Sequence, residues 1–80
     1  MKPQCLSKLQ KGEIARIVTM DQDAPVCQRL MNFGVLPDKQ IRYIKPAPMG
    51  DPLEFEVEGR AFSVRKTDAC RIKVLPINGL

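Results

Sequence analysis

The stretch L-E-F-E-V-E-G-R-A-F-S-V, residues 53–64, constrains the fold more than any other part of the chain. From Leu53 to Val57 apolar and acidic side chains alternate without exception, the period of a strand with one buried and one wet face. Glu58-Gly59 reads as a two-residue turn into a second strand at residues 60–64. Such a turn sets Phe55 opposite Phe62 and Leu53 opposite Val64, so all four apolar side chains share one face.

The segment ahead of this hairpin, P-A-P-M-G-D-P at residues 46–52, carries three Pro and one Gly, and neither helix nor sheet ladder can run through it. Further upstream, Leu6, Leu9 and Gly12 read as a short turn, and E-I-A-R-I-V-T-M, residues 13–20, is a strand by its β-branched content. Asp21 and Asp23 break it. Asp23 is placed to cap a helix in which Pro25 occupies the first turn. Val26, Cys27, Leu30, Met31 and Phe33 recur on one helical face, Gln28, Arg29 and Asn32 fall away from it, and Gly34 supplies a left-handed cap. A second strand is expected over 40–45, with Ile41, Tyr43 and Lys45 facing one way and Arg42 and Ile44 the other. After the hairpin, residues 67–70 read as one helical turn with Thr67 as its cap, before a last strand over 71–75 that Pro76 ends. Five short strands with one short helix after the first long strand predict a mainly β chain curled into a small barrel. No linker or repeat divides residues 1–80, which are expected to form a single domain with a loose tail at 77–80.

Composition narrows the chemistry. A chain of 80 residues buries only roughly 60% of the surface its unfolded form exposes, which excludes a large substrate-engulfing active site. His and Trp are absent, removing the commonest general base, the commonest metal ligand and the best stacking side chain. Cys5, Cys27 and Cys70 are odd in number, widely spaced and without a C-x-x-C pair, so each is expected as a small core hydrophobe rather than part of a disulfide framework or zinc knuckle. No apolar run approaches ~18 residues and the first ten residues lack a secretory apolar region, which predicts a reducing, cytosolic setting. Gly34, Gly50 and Gly59 read as cap, loop bend and turn. Gly50-Asp51-Pro52 is not a phosphate loop, so no nucleotide binding is expected.

The order of these elements resembles the FeoA family, the small accessory proteins of bacterial ferrous iron uptake. The resemblance rests on Leu9-x-x-Gly12-Glu13 with Ile17, on the helix exit Leu30-x-x-x-Gly34-Val35-x-Pro37 followed by Ile41, on Pro48-x-Gly50-Asp51-Pro52, and on Arg65, Ala69 and Ile72 after the hairpin. It implies an SH3-like barrel and a partner, the membrane GTPase FeoB. Where the family commonly has Gly after Pro37 this chain has Asp38, which tolerates the same positive-φ bend.

No metal site is expected, since iron(II) favours His with carboxylates and Glu54, Glu56 and Glu58 alternate onto a solvent face. No cofactor is implied. Charge is uneven: residues 1–20 sum to +3, 21–58 to −3 and 59–80 to +4. The cations Arg60, Arg65, Lys66, Arg71 and Lys73 suit an acidic protein surface or anionic lipid better than nucleic acid, for which aromatics and a recognition helix are lacking. Candidate partner-binding residues are Arg29, Met31, Leu36, Met49 and Arg65: adaptable apolar side chains at the helix exit and Pro-rich loop, with cations at their rim. The resulting expectation is a non-enzymatic cytosolic module that docks on FeoB, approaches the membrane only through it and self-associates weakly if at all. The alternatives are an iron-linked transcriptional accessory module and an iron(II) metallochaperone.

Overall fold

In the computed structural model, which describes residues 2–77, the chain forms six strands: β1 (Gln4–Cys5), β2 (Ile14–Met20), β3 (Gln40–Pro46), β4 (Leu53–Val57), β5 (Arg60–Val64) and β6 (Ile72–Pro76). Two helices, α1 (Pro25–Asn32) and α2 (Lys66–Ala69), and a 3-10 turn at Leu6–Lys8 complete it. All strand pairs are antiparallel in one sheet of order β1-β6-β2-β3-β4-β5. The mainly β class stands. The strand count is six rather than five, and among the described residues β1 and β5 remain unpaired with each other, so the sheet is not closed by a ladder. The extra strand is β1, two residues too short to carry a period, which exists because β6 pairs with it through Gln4↔Val74 and Cys5↔Lys73.

The hairpin has the expected register, Phe55 opposite Phe62 and Leu53 opposite Val64. Glu58 and Gly59 have φ of 52° and 81°, the two positive values of a type I′ turn that matches the twist of its strands. The α1 exit is a Schellman motif. Val35 N donates to Leu30 O and Gly34 N to Met31 O, both at 3.0 Å, around Gly34 at φ 92°. Asp38 takes the bend at φ 77°, and its N–H reaches Ile17 O at 2.8 Å.

Three local expectations are corrected. The α1 N-cap is Ala24 without a side-chain bond; Asp23 stands one residue earlier, in a turn where Asp21 Oδ1 accepts from Asp23 N and Asp21 O from Ala24 N. Thr67 lies inside α2; the α2 start is met from outside by Asp51 Oδ1, which accepts from Lys66 N at 3.0 Å. Lys45 does not share the buried face of Ile41 and Tyr43, since the β3–β4 register shifts at Ile44 and exposes Lys45. Of the expected tail, Ile77 donates its N–H to Ile14 O, and 78–80 lie outside the described residues.

The largest fully buried side chains, Phe55, Leu6, Ile17, Ile72, Val35 and Val74, come from every part of the chain, and Cys27 packs among them as a small hydrophobe. Cys5 and Cys70 do not. They form a disulfide, because β1 lies along β6 and the 3-10 turn brings the N-terminal segment to the α2 exit, a proximity no spacing in the sequence signals.

Candidate functional site

Helix α1 runs beside the edge strand β5. At one end Arg60 Nη1 donates to Phe33 O at 3.0 Å and the Phe33 and Phe62 rings lie 6.4 Å apart. At the other end lies a cleft of about 470 Å³, into which α1 turns Arg29 and the β5 exit turns Ser63 and Arg65, with Pro52, Arg71 and the rim of the buried Val26 in its walls. Pro25 starts the helix and Arg29 stands one turn later, so its polar face looks toward the cleft while Val26, Cys27 and Leu30 enter the core.

The three guanidinium groups are not equivalent. Arg71 is matched by Asp21 Oδ2 at 3.1 Å and Asp68 Oδ1 at 3.7 Å. Arg29 and Arg65 have no ion pair or side-chain hydrogen bond among the described residues. The cleft therefore carries two uncompensated cations, with the Asp68 carboxylate in the same lining.

The structure places the other predicted partner residues elsewhere. Met31 is half-buried against the core, while Leu36 is 41% and Phe33 56% exposed at the α1 exit. Met49, 93% exposed, belongs to the 47–52 loop at the Leu53–Val64 end of the hairpin, whereas the α1 exit abuts its Arg60 end. The length of β4 and β5 separates them. Arg29 and Arg65 are brought together; Leu36 and Met49 are not. Phe33, at helical spacing with the apolar face, is the C-cap residue, and the departing chain turns it out of line with Leu30. Arg71 and Ser63 join the cleft only through tertiary placement. The basic residues expected as a cluster also divide: Arg60 binds the α1 exit, Lys73 Nζ donates to Cys5 Sγ at 3.3 Å and Lys66 lines a separate hollow with Gly50 and Leu53, leaving Arg65 and Arg71 together.

Two of the three hairpin carboxylates are paired, and Glu54 has no ion pair among the described residues. Arg42 holds Glu56 at 2.7 Å and Lys39 holds Glu58 at 2.8 Å, and the hydrogen bond from Lys39 keeps the Glu58 carboxyl below the ordinary glutamate range. Burial pushes the Cys27 thiol and the Tyr43 phenol up. Among the described residues no three Cys, Asp or Glu side chains converge to hold a metal ion, and no helix is long and apolar enough to cross a membrane.

The FeoA domain model matches residues 4–76. The chain is 30% identical over 69 residues to the Fe(2+) transport protein A/Fe(2+) transporter FeoB fusion protein of Porphyromonas gingivalis, an alignment that covers 86% of this chain and 8% of that one. Among solved structures it is similar to the FeoA protein of Chlorobium tepidum, with a TM-score of 0.85 and 29% identity over 95% of this chain and 72% of that one. It is similar also to the zinc-complexed FeoA of Stenotrophomonas maltophilia, described as a prokaryotic SH3 domain protein, with a TM-score of 0.73 and 27% identity over 88% of this chain and 87% of that one. From β1 through β6, and so over nearly its whole length, the chain belongs to the FeoA domain family.

Proposed function

We propose that this chain is a non-enzymatic accessory module of bacterial ferrous iron uptake, acting as one domain on the cytosolic face and docking on the membrane GTPase FeoB. The single observation that supports the partner is the Porphyromonas gingivalis relative, in which an Fe(2+) transport protein A part and an FeoB part share one polypeptide. A covalent link holds two modules at high effective concentration and adds to whatever affinity their surfaces have. Arg29 and Arg65 in the cleft, Met31 and Leu36 at the α1 exit, and Met49 on the Pro-rich loop are the residues offered to the partner. Iron(II) is the cargo of the transporter and needs no site on this chain. Docking regulates transport only through different affinity for two states of the GTPase or its pore, since a module that binds both equally shifts neither.

The test is co-purification of FeoB from detergent-solubilised membranes on the immobilised chain, repeated with Leu36→Asp and with Arg65→Glu, each checked for a native melt. Retention of FeoB by the wild type and its loss with either variant is expected. Failure of FeoB to co-purify at low salt with the wild type removes direct docking.

A further inference from the structure

The cleft between α1 and β5 lies along an open sheet edge, and the hairpin register states what that edge offers. In a hairpin with a two-residue turn at 58 and 59, Arg60, Phe62 and Val64 exchange hydrogen bonds with β4. The N–H and C=O groups of Ala61 and Ser63 therefore point outward, and no backbone partner meets them among the described residues. Ala61 and Ser63 are exposed, and Ser63 lines the cleft. A free edge of this kind accepts an added strand through main-chain hydrogen bonds, with side-chain contacts giving selectivity.

Charge selects the strand. Arg29 stands on the helical wall and Arg65 at the end of the edge strand, both without an acidic partner among the described residues. A compact oxyanion such as phosphate fits less well, because the Asp68 carboxylate lines the same cleft and Arg71 is already matched by Asp21 and Asp68. An extended peptide spaces alternate carboxylates by about 6.6 Å, two strand residues apart, and so meets separate cations while passing Asp68. At the far end of the edge, Phe33 and Phe62 give an apolar side chain of the same segment a surface.

We propose that this groove docks an extended acidic segment of a protein partner, which adds as a strand to the free edge of β5 and sets its carboxylates against Arg29 and Arg65. The inference rests on reading the chain as a docking module and goes beyond it in naming the groove and the chemistry of the segment.

The experiment titrates the isotopically labelled chain, at low salt, with the blocked hexapeptide Glu-Val-Glu-Thr-Glu-Val and follows its amide resonances. The expected result is saturable binding that shifts the Ala61, Ser63 and Arg65 amides, slows exchange at the first two, and weakens about tenfold or more in the Arg29→Gln/Arg65→Gln double variant. Two further peptides carry N-methyl groups on alternate amides, one set in each register. One set should abolish binding and the other spare it, because only one row of a strand's amides faces its neighbour. No saturation at millimolar peptide, equal binding of both methylated peptides, or competition by inorganic pyrophosphate at equal affinity would each overturn the proposal. No transporter is present, so a negative result here leaves the co-purification outcome standing, and the reverse also holds.

Discussion

Cys5 and Cys70 are joined by a disulfide across a sequence separation of 65 residues, with their Cα atoms 4.4 Å apart. The bond ties the two-residue strand β1 to the α2 exit. Cross-linking removes conformational freedom from the unfolded chain, and a loop of this length corresponds to about 4 kcal/mol in the chain-entropy treatment. Neither cysteine belongs to the buried core, so reduction removes no core contact. Urea unfolding with and without dithiothreitol should differ by up to that amount, with native spectra retained under reduction. Cys70→Ser without reductant should behave as the reduced wild type. Identical midpoints with and without dithiothreitol would show that the bond is absent in solution.

Phe55 and Phe62 face each other in the hairpin but differ in burial: Phe55 is inaccessible and lies 5.1 Å from the Tyr43 ring, whereas Phe62 sits partly exposed beside Phe33. Truncating a fully buried aromatic loses its transfer energy and leaves a cavity. Phe55→Ala should therefore cost about 3–5 kcal/mol, and Phe62→Ala distinctly less. Chemical denaturation measures both, and the order Phe55 above Phe62 is the outcome at stake.

Asp38 holds φ at 77° and pairs with Arg16 at 3.2 Å in an exposed setting. Replacement by Ala or Gly removes the ion pair equally, so the difference between the two variants isolates the backbone. Asp38→Gly should be at least as stable as Asp38→Ala by about 1 kcal/mol, since only Ala pays for the left-handed conformation. Equal stability of the two would mean that the bend relaxes in solution.

Glu58 is held ionised by the hydrogen bond from Lys39 Nζ, which keeps its folded-state pKa below the unfolded one. Its contribution is therefore present at neutral pH and is lost as the pH falls from the ordinary glutamate range through the lower folded value. Glu58→Gln should flatten the decline of stability over that acid interval and leave the neutral-to-alkaline range parallel to wild type. Because the pair is exposed, added salt should shrink the difference. Urea midpoints across the acid range, at low and high ionic strength, provide the measurement.

The parts of the fold that local rules govern were legible in the residues. Strict alternation and a two-residue turn dictate the hairpin register, Leu30-x-x-x-Gly34-Val35 dictates the Schellman exit, and Asp38 accepts the bend that follows Pro37. The shift at Ile44 was not legible, because a bulge depends on how β4 meets β3 rather than on β3 alone. Of the candidate partner residues, Arg29 is singled out by its charge beside the helix exit, and Arg65 by its charge and by the resemblance to a family. Arg71, which shares their cleft, is marked in the chain by its charge alone, and Ser63, also in the cleft, carries no mark.

What the sequence determined by itself was the set of short-range commitments: a mainly β chain, one capped helix, a hairpin of known register, and a resemblance spread over motifs at fixed spacing. Tertiary structure alone decided which distant residues meet. It set Cys5 on Cys70, left the edge of β5 open beside Arg29 and Arg65, and separated Leu36 from Met49 by the length of the hairpin. The physical reason is one of range. Turn geometry and side-chain period act over a few residues, whereas the order of strands in a sheet is chosen by burying the whole apolar surface at once.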